Sequence, residues 1–452
     1  MVRERLDLGS LRGELDRRGV TKVKLGGFDI DGVLRGKYVS RDKFLSAAES
    51  GLGFCDVVFG WDLEDKLYDN GEFTGWHTGY PDTLARVDLD TFRMIPWEPG
   101  TAAFLLDFCD REGRPLAVSP RQVLQRVLAR AAAAGYEAHL AAEYEFFLFK
   151  ETPESVRAKG YRDLTPLSPG MFGYSWLRAS EHHALVHDLQ DQLAAFDLQL
   201  ECFHTETGPG VYEAAIAVDT ALRAADKAAL FKTAVKELCH RHGVMACFMA
   251  KWNEKLPGCS GHLHLSLWRD GMNAFSDVKG GMSRTMLHAL GGELALLPAL
   301  TAVISPTVNS YKRMVEGAWA PTTATWGVEN RTAALRAIPG NPKVTRIEVR
   351  QAAADMNPYL AMACAVAAAL HGIEPAIAPP PPLSGNAYAA RGAPRLPASL
   401  KEAVALLRAS PEARELLGPE FVEHYARTRE WEVRQWERAV TTWELERYFE
   451  VI

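Results

Sequence analysis

The sequence predicts an α+β fold in which a small β-rich unit precedes a larger unit of alternating helices and strands. Strand-type segments dominate as far as about Asp110, whereas segments with the 3.6-residue period of helices become frequent after it. The chain has 452 residues, which is too many for a single ordinary core. We therefore expect two domains, residues 1–112 and 113–452.

The N-terminal unit is predicted to begin with a short helix and to continue mainly as β-structure. The helix covers residues 6–18 and ends at Gly19. The next segment, VTKVKLGGFDIDGVLRGKYVS, predicts a hairpin around an Asp-Gly turn. Residues 54–77 are rich in Gly, Asp and Trp with weak periodicity, which is typical of a functional loop. Strands in TLARVDLDTFRMIPW and AAFLLDFCD complete the unit.

The larger unit alternates between helical and strand patterns. Ser119 precedes a helix that has Pro120 at its first position, and the strand AHLAAEYEFFLF follows. The helices EHHALVHDLQDQLAAFD and TALRAADKAALFKTAVKELCHRHG precede the strands LQLECFHTE and VMACFMAKW, and GHLHLSLW and VTRIEVRQ are further strands. This order predicts an antiparallel or mixed sheet. Residues 375–382 form a stiff proline-rich surface segment, and the tail from Ser399 is helical.

Charge and cysteine content narrow the classes of function. A net charge of -6 gives no general attraction to nucleic acid or to an anionic membrane, so a small-molecule substrate is expected. The seven cysteines are scattered and form no CxxC pair, which favours reduced thiols in the cytoplasm. The N-terminus has no apolar signal core, and we expect no later run to be long and apolar enough to span a bilayer.

Two glutamates in AEYEFFLF are the starting point for the site. Side chains alternate along a strand, so Glu143 and Glu145 share one face. Two like charges on a half-buried face are costly unless a cation lies between them. A divalent metal meets this need; the alternative is an exposed edge strand whose charges are solvated.

Two further segments could contribute to the same site. In HTETGPGVYE, a tight Gly-Pro-Gly turn brings Glu206 and Glu213 toward a common point, although it could also be an ordinary acidic turn. In GCSGHLHLSLW, His262 and His264 share a strand face. This pair could supply one metal ligand and one hydrogen-bond donor to a phosphate, or it could be two polar residues on a solvated face.

Basic residues complete the inventory. TRIEVRQ places Arg346, Glu348 and Arg350 on one face, as either a structural ion-pair ladder or a site for polyanions and metal. Further cations that need anionic partners are Arg313, Arg331, Arg336 and Lys343. Together these groups fit divalent ions, a nucleotide and an acidic substrate, as phosphoryl transfer requires. The sequence has no GxxxxGK[ST] phosphate loop.

Five motifs in this order resemble those of the glutamine synthetase family: EYEFFLF, ETGPGVYE, GCSGHLHLSL, ENRTAALR and TRIEVR. The resemblance covers nearly the whole chain. It implies a β-grasp-like N-terminal domain and a catalytic domain with a curved antiparallel sheet and flanking helices. It also implies a homo-oligomer, a dodecamer of two hexameric rings, whose active sites form between subunits.

The resemblance implies ATP, Mg²⁺ or Mn²⁺, glutamate and an amine as ligands. The metal near glutamate would be held by Glu145, Glu206 and Glu213, and the metal near the nucleotide by Glu143, His262 and Glu348. ATP and its phosphates would be contacted by His264, Ser266, Arg331, Arg336, Lys343 and Arg346. Glutamate would be contacted by Gly258, Arg313 and Arg350. ATP would convert the glutamate γ-carboxylate to a γ-glutamyl phosphate, which an amine then attacks.

Departures from the family pattern concern the amine. Within RMVEGAWAP, Trp319 stands where ammonia-using members carry a flap glutamate, and an indole favours an apolar or cationic amine. Trp61 and Trp76 could line the same pocket. Asp62 in VFGWDLED and Asp82 in GYPD are the candidates for accepting the amine proton.

NSYKR, WAP and WGVENRTAALR resemble the γ-glutamylpolyamine and γ-glutamylamine synthetase branch. We therefore expect an ATP-dependent ligase that joins glutamate to an organic amine. Two alternatives stay open: a glutamine synthetase that uses ammonia, and an inactive ring-forming relative. Retention of all six implied metal ligands argues against the inactive relative, because unpaired carboxylates destabilise a metal-free scaffold.

Overall fold

A computed structural model describes residues 7–277 and 279–452 of the chain. The helices are α1 Leu8–Arg17, α2 Arg41–Ser50, α3 Pro120–Ala133, α4 Pro153–Ala158, α5 Trp176–Glu181, α6 His183–Ala195, α7 Ala221–Arg241, α8 Arg284–Ile304, α9 Pro358–Ile373, α10 Leu400–Ala409, α11 Pro411–Leu417, α12 Pro419–Arg438 and α13 Thr442–Tyr448. The strands are β1 Lys22–Phe28, β2 Leu34–Ser40, β3 Leu52–Cys55, β4 Asp82–Met94, β5 Thr101–Cys109, β6 Glu137–Phe149, β7 Leu200–Thr205, β8 Val211–Ile216, β9 Asp219–Thr220, β10 Met245–Cys247, β11 Gly261–Arg269, β12 Met272–Asn273, β13 Trp326–Val328, β14 Leu335–Ile338 and β15 Arg346–Val349.

The N-terminal strands form a five-stranded sheet in the order β2-β1-β5-β4-β3. The predicted hairpin is confirmed, since β1 and β2 pair in antiparallel register around Gly32, whose φ is 78°. Asp29 Oδ1 stabilises this turn by accepting from the backbone N–H groups of Asp31 and Val33. The helix predicted over residues 6–18 is observed as α1, and its first predicted residue lies outside the described part of the chain.

The second sheet has ten strands and is mixed, as the sequence predicts. Its main order is β13-β14-β15-β11-β6-β8-β7, with β9, β10 and β12 paired at its margins. Strand β6 lies between β11 and β8 and is antiparallel to both, whereas β13 and β14 are parallel. The strand predicted over VMACFMAKW is too long, since only its first part forms β10 beside the end of β6.

Helices α8 and α9 form a core layer that the sequence periodicity does not predict. A Cβ at Gly292 of α8 would lie 2.1 Å from the Ala368 carbonyl oxygen, so the two helices approach closely because glycine is at the contact. Both helices are apolar on nearly all sides, and a helix of this kind lacks the amphipathic period on which prediction depends.

The prediction that no run is long and apolar enough to span a bilayer is wrong for α8. By length and composition, α8 is long and apolar enough to cross a bilayer. However, 67% of its most apolar window is buried inside the protein, which is the environment of a core helix. In the described part of the chain, α8 is the one helix that meets this criterion.

The two sheets belong to units that are joined by buried polar contacts. Arg429 of α12 donates to Asp31 Oδ1 over 2.6 Å, and both side chains are almost fully buried. Asn357 Nδ2 donates to the carbonyl oxygens of Asp29 and Ile30, both at 3.2 Å. The separate sheets support our proposal that the domain boundary lies between residues 112 and 113. The apolar cores do not divide strictly there, since Phe28 and Trp97 pack in the larger core and Leu116 and Val118 in the smaller one.

Candidate active site

A cleft of about 1030 Å³ brings together fourteen of the residues that the sequence singles out. They are Glu143, Glu145, Glu206, Glu213, Gly258, His262, His264, Arg313, Trp319, Arg331, Arg336, Arg346, Glu348 and Arg350. A second cavity of about 440 Å³ is lined by Ser266 and Lys343. The two spaces share Glu143, His264 and Arg346 and therefore adjoin each other.

Strand register explains why these side chains meet. On β6, Glu143 pairs directly with His262 of β11, and Glu145 pairs directly with Glu213 of β8. On the other side of β11, His264 pairs with Glu348 of β15. Directly paired side chains point to the same face of a sheet about 5 Å apart. The antiparallel order β15-β11-β6-β8 thus carries the charged residues across the sheet.

The first cluster consists of Glu143, His262 and Glu348, and we call it the nucleotide-side cluster after the role that the family resemblance implies for it. His262 Nδ1 lies 3.0 Å from Glu143 Oε1 and 3.5 Å from Glu348 Oε1. Burial opposes ionisation of Glu143, but the hydrogen bond with His262 and the His264 imidazole, whose Nε2 lies 3.6 Å from Glu143 Oε2, outweigh it and lower its pKa. These three residues are the ones predicted to share a metal.

The second cluster, which we call the substrate-side cluster, consists of His204, Glu206 and Glu213. His204 Nε2 lies 3.3 Å from Glu206 Oε1 and 3.4 Å from Glu213 Oε1. The predicted third member, Glu145, faces the same cleft but accepts a hydrogen bond of 2.6 Å from the backbone N–H of Ser260. The sequence therefore anticipates two members of this cluster and does not anticipate His204.

The donor sets fit divalent metal ions. Each cluster offers carboxylate oxygens and an imidazole nitrogen within 4.8 Å of one another. The Nε2 atom of His262 is buried without a hydrogen-bond partner among the described residues. Burial and repulsion by neighbouring carboxylates raise the pKa of Glu213 to about 9, so a cation is needed to keep this group ionised at neutral pH.

We expect a Glu213→Gln variant to gain stability over the wild type as pH rises in metal-free solution. The pKa of Glu213 is about 9 in the folded chain, against an ordinary value of 4.5, so unfolding releases its proton between these values. Rising pH therefore destabilises the wild type in this window, by at most about 1.4 kcal/mol per pH unit. Urea unfolding with a chelator at about pH 5.5 and pH 8.5 measures the difference. A difference that is the same at both pH values would contradict this assignment.

Glu348 connects the nucleotide-side cluster to the arginines of the cleft. Its carboxylate is 1% exposed and accepts hydrogen bonds from Arg336 Nη1, at 2.9 Å, and from Arg350 Nη1. Arg350 Nε also donates to the backbone carbonyl of Arg331. Burial opposes ionisation of Glu348, but the electrostatic effect of the nearby His262, Arg350 and His264 side chains outweighs this and lowers its pKa to about 2.

Arg313 also lines the cleft and is 3% exposed. Its Nη2 donates to the carbonyl oxygens of Gln351 and Ala352 at 2.8 and 3.2 Å. A Cβ at Gly258 would lie 2.7 Å from Arg313 Cγ and 2.5 Å from the Ala250 carbonyl oxygen. Glycine at position 258 therefore makes space for the arginine.

Four predicted residues do not line the cleft or the second cavity. Asp62 accepts from Trp431 Nε1 at 2.9 Å and from backbone N–H groups of its own turn. Asp82 is exposed at the start of β4. Trp61 and Trp76 also belong to the N-terminal unit, and neither lies beside Trp319 in the cleft. Within one chain these residues lie in the N-terminal unit, away from the cleft over the ten-stranded sheet. The shared amine pocket therefore stays a prediction that depends on a neighbouring subunit.

Among the residues that the sequence reasoning missed are Tyr174, which lines the cleft, and His204, which belongs to the substrate-side cluster. The signal for His204 was present, since it precedes Glu206 by two residues and strand alternation places both on one face. Tyr174 follows α4 in a segment without periodicity, and its ring stacks on the His204 ring at 4.5 Å. Only the fold brings that segment to the site.

Comparison with known proteins agrees with this architecture. A family model described as glutamine synthetase, catalytic domain, matches residues 117–448. A type-1 glutamine synthetase 2 from Dictyostelium discoideum is 48% identical over 95% of this chain and 84% of that protein. A glutamate–isopropylamine ligase from a Pseudomonas species is 38% identical over 98% of each chain. A solved GmaS/ADP complex superposes with a TM-score of 0.85 at 29% identity, over 98% of this chain and 99% of that one. The chain therefore belongs to the glutamine synthetase family of ligases.

Proposed function

We propose that this enzyme uses ATP to join the γ-carboxylate of glutamate to an organic amine through a γ-glutamyl phosphate. The observation that carries this proposal is the indole of Trp319, which is 61% exposed and lines the cleft. The resemblance of RMVEGAWAP to the family's flap motif implies that ammonia-using members have a glutamate there. The nearby Glu316 is exposed and is not among the cleft-lining residues. The similarity to a glutamate–isopropylamine ligase supports the same substrate class.

The residues of the cleft fit the steps of this reaction. We propose that the nucleotide-side cluster holds one Mg²⁺ or Mn²⁺ and that Glu145, Glu206 and Glu213 hold another, which would neutralise phosphoryl charge. Arg313 and Arg350 would bind the α-carboxylate of glutamate beside Gly258. ATP and its phosphates would be bound by His264, Ser266, Arg331, Arg336, Lys343 and Arg346. The second cavity would then contain the nucleotide.

The remaining tasks are to exclude water and to accept a proton from the amine. An acyl phosphate hydrolyses if water reaches it, and the flap residues 315–319 lie where they could cover the cleft.

The candidate proton acceptors, Asp62 and Asp82, would have to come from the N-terminal unit of a neighbouring subunit. We therefore propose a homo-oligomer, and the family resemblance favours a dodecamer of two hexameric rings. A cytoplasmic location is proposed as well, supported by seven free cysteines.

A glutamine synthetase that uses ammonia is the second candidate. It is favoured by the relative that is 48% identical and bears that name. Both candidates use the same metal, nucleotide and glutamate sites, so these sites do not distinguish them. The amine-binding side of the cleft does, and it must be tested by substrate preference.

The test is ATP-dependent phosphate release with glutamate and a panel of amines. Ammonium is compared with aliphatic monoamines, diamines, amino alcohols and aromatic amines, and mass spectrometry identifies each γ-glutamyl product. We expect the best organic amine to exceed ammonium in kcat/KM by at least about tenfold, because each methylene group that an apolar pocket binds raises kcat/KM by about tenfold or more. Equal or better turnover with millimolar ammonium would overturn the proposal in favour of a glutamine synthetase.

A further inference from the structure

His204 is placed and oriented as a metal ligand, although the motifs of the sequence do not assign it to the site. Its Nε2 atom lies 3.3 Å from Glu206 Oε1 and 3.4 Å from Glu213 Oε1. We propose that His204 Nε2 is a fourth ligand of the metal that Glu145, Glu206 and Glu213 would hold, which we call the substrate-side metal. The centre would then have a nitrogen donor and prefer Mn²⁺ to Mg²⁺. This inference rests on the metal-dependent reaction proposed above but not on the identity of the amine.

The distances fit a shared metal better than a network of hydrogen bonds. Both separations exceed the usual length of a charge-assisted N–H···O bond, which is about 2.8 Å. Ligand atoms that each lie about 2.1 Å from one ion are separated by about 3.0 to 3.4 Å in octahedral or tetrahedral geometry. The separations of His204 Nε2 from Glu206 Oε1 and from Glu213 Oε1 have that spacing, and all three donor atoms lie within 4.8 Å of one another.

The imidazole of His204 is held from two further sides. Its ring stacks on Tyr174, with ring centroids 4.5 Å apart and planes 8° from parallel. Its Nδ1 lies 3.4 Å from Cys202 Sγ on the same face of β7. If Nε2 binds metal, Nδ1 carries the proton and can donate weakly to the sulfur, as ligating histidines usually donate to a neighbour. The ring is therefore oriented before metal binds.

The carboxylates of the cluster are also oriented. Glu206 Oε2 accepts a hydrogen bond of 2.8 Å from the backbone N–H of Thr207, which leaves Oε1 directed at His204. Glu213 is 8% exposed and follows the Gly-Pro-Gly turn. Imidazole nitrogen binds Mn²⁺ and later transition ions, whereas Mg²⁺ strongly prefers oxygen. A His204 ligand would thus strengthen the binding of Mn²⁺ more than the binding of Mg²⁺.

A direct test detects nitrogen bound to Mn²⁺ by pulsed electron paramagnetic resonance of the full-length protein. The nucleotide-side cluster contains its own histidine, so the measurement is made on a His262→Ala variant. We expect the ¹⁴N modulation of a coordinated imidazole to persist in this variant and to disappear in the double variant with His204→Ala. No ¹⁴N modulation in His262→Ala loaded with Mn²⁺ would overturn the proposal.

A second test compares metal affinities by isothermal titration calorimetry without any turnover. We expect His204→Ala to weaken Mn²⁺ binding at one site by at least about tenfold and Mg²⁺ binding much less. His183→Ala, which removes an exposed histidine of α6, is the matched control and should change neither affinity. Equal losses for both ions, or none, would contradict the inference. Because only binding is measured, such a failure would leave the ligase proposal standing.

Discussion

Replacing Glu348 with Gln is expected to lower ATP-dependent phosphate release on the order of 1000-fold. The buried carboxylate contacts three other side chains of the site. It accepts hydrogen bonds from Arg336 and Arg350, and it lies 3.5 Å from His262 Nδ1. A neutral amide removes a negative metal ligand and leaves Arg350 poorly compensated in the interior. Breaking a buried pair of this kind costs about 3 kcal/mol of folding free energy, so the melting temperature should fall as well.

Glu329→Gln is the matched control for this variant. Glu329 binds the same Arg336, at 2.9 Å from its Nε, but its side chain is half exposed. An exposed ion pair contributes about 1 kcal/mol or less, so this variant should keep most of its stability. Steady-state kinetics and differential scanning fluorimetry on both variants make the comparison. Glu348→Gln with activity like that of Glu329→Gln would show that the carboxylate is not a ligand.

The order of the sheet could be predicted in part because its central strands follow simple patterns. In β6 and β11, polar residues alternate with apolar ones, and this period of two places Glu143 and His262 on one face. Helices α8 and α9 could not be found in this way, because their apolar residues surround the whole helix. Their identity as helices depends on the contact between them, which is a tertiary property.

The same limit applies to the site. The nucleotide-side cluster was predictable because each member belongs to a motif with strand alternation. The substrate-side metal site was predicted with Glu145, whereas the side chain that clusters with Glu206 and Glu213 in the structure is His204. Family motifs indicate which residues can be ligands, but the orientation of the carboxylates is decided by local partners. The backbone N–H of Ser260 is such a partner for Glu145.

Replacing Trp319 with Glu is expected to shift preference toward ammonium by at least about tenfold in the ratio of kcat/KM values. The backbone of Trp319 has a φ of 58°, a left-handed conformation that is unfavourable for a bulky side chain. The carbonyl of the next residue, Ala320, accepts a hydrogen bond from the Tyr388 hydroxyl. The backbone therefore presents position 319 to the cleft, and a carboxylate should enter the space of the indole. A tenfold change corresponds to about 1.4 kcal/mol, which one partly solvated charge pair can supply.

Trp319→Gln separates the loss of the indole from the gain of charge. Gln and Glu side chains have nearly the same size but differ in charge. The Trp319→Gln variant should therefore lose activity with organic amines without gaining activity with ammonium. Parallel kinetics with ammonium and with the best organic amine of the panel give both ratios. If Gln and Glu shifted the preference equally, the charge would have no role. If neither variant shifted it, amine selection would have to reside elsewhere in the cleft or in a neighbouring subunit, and Trp319 would serve only to pack the flap.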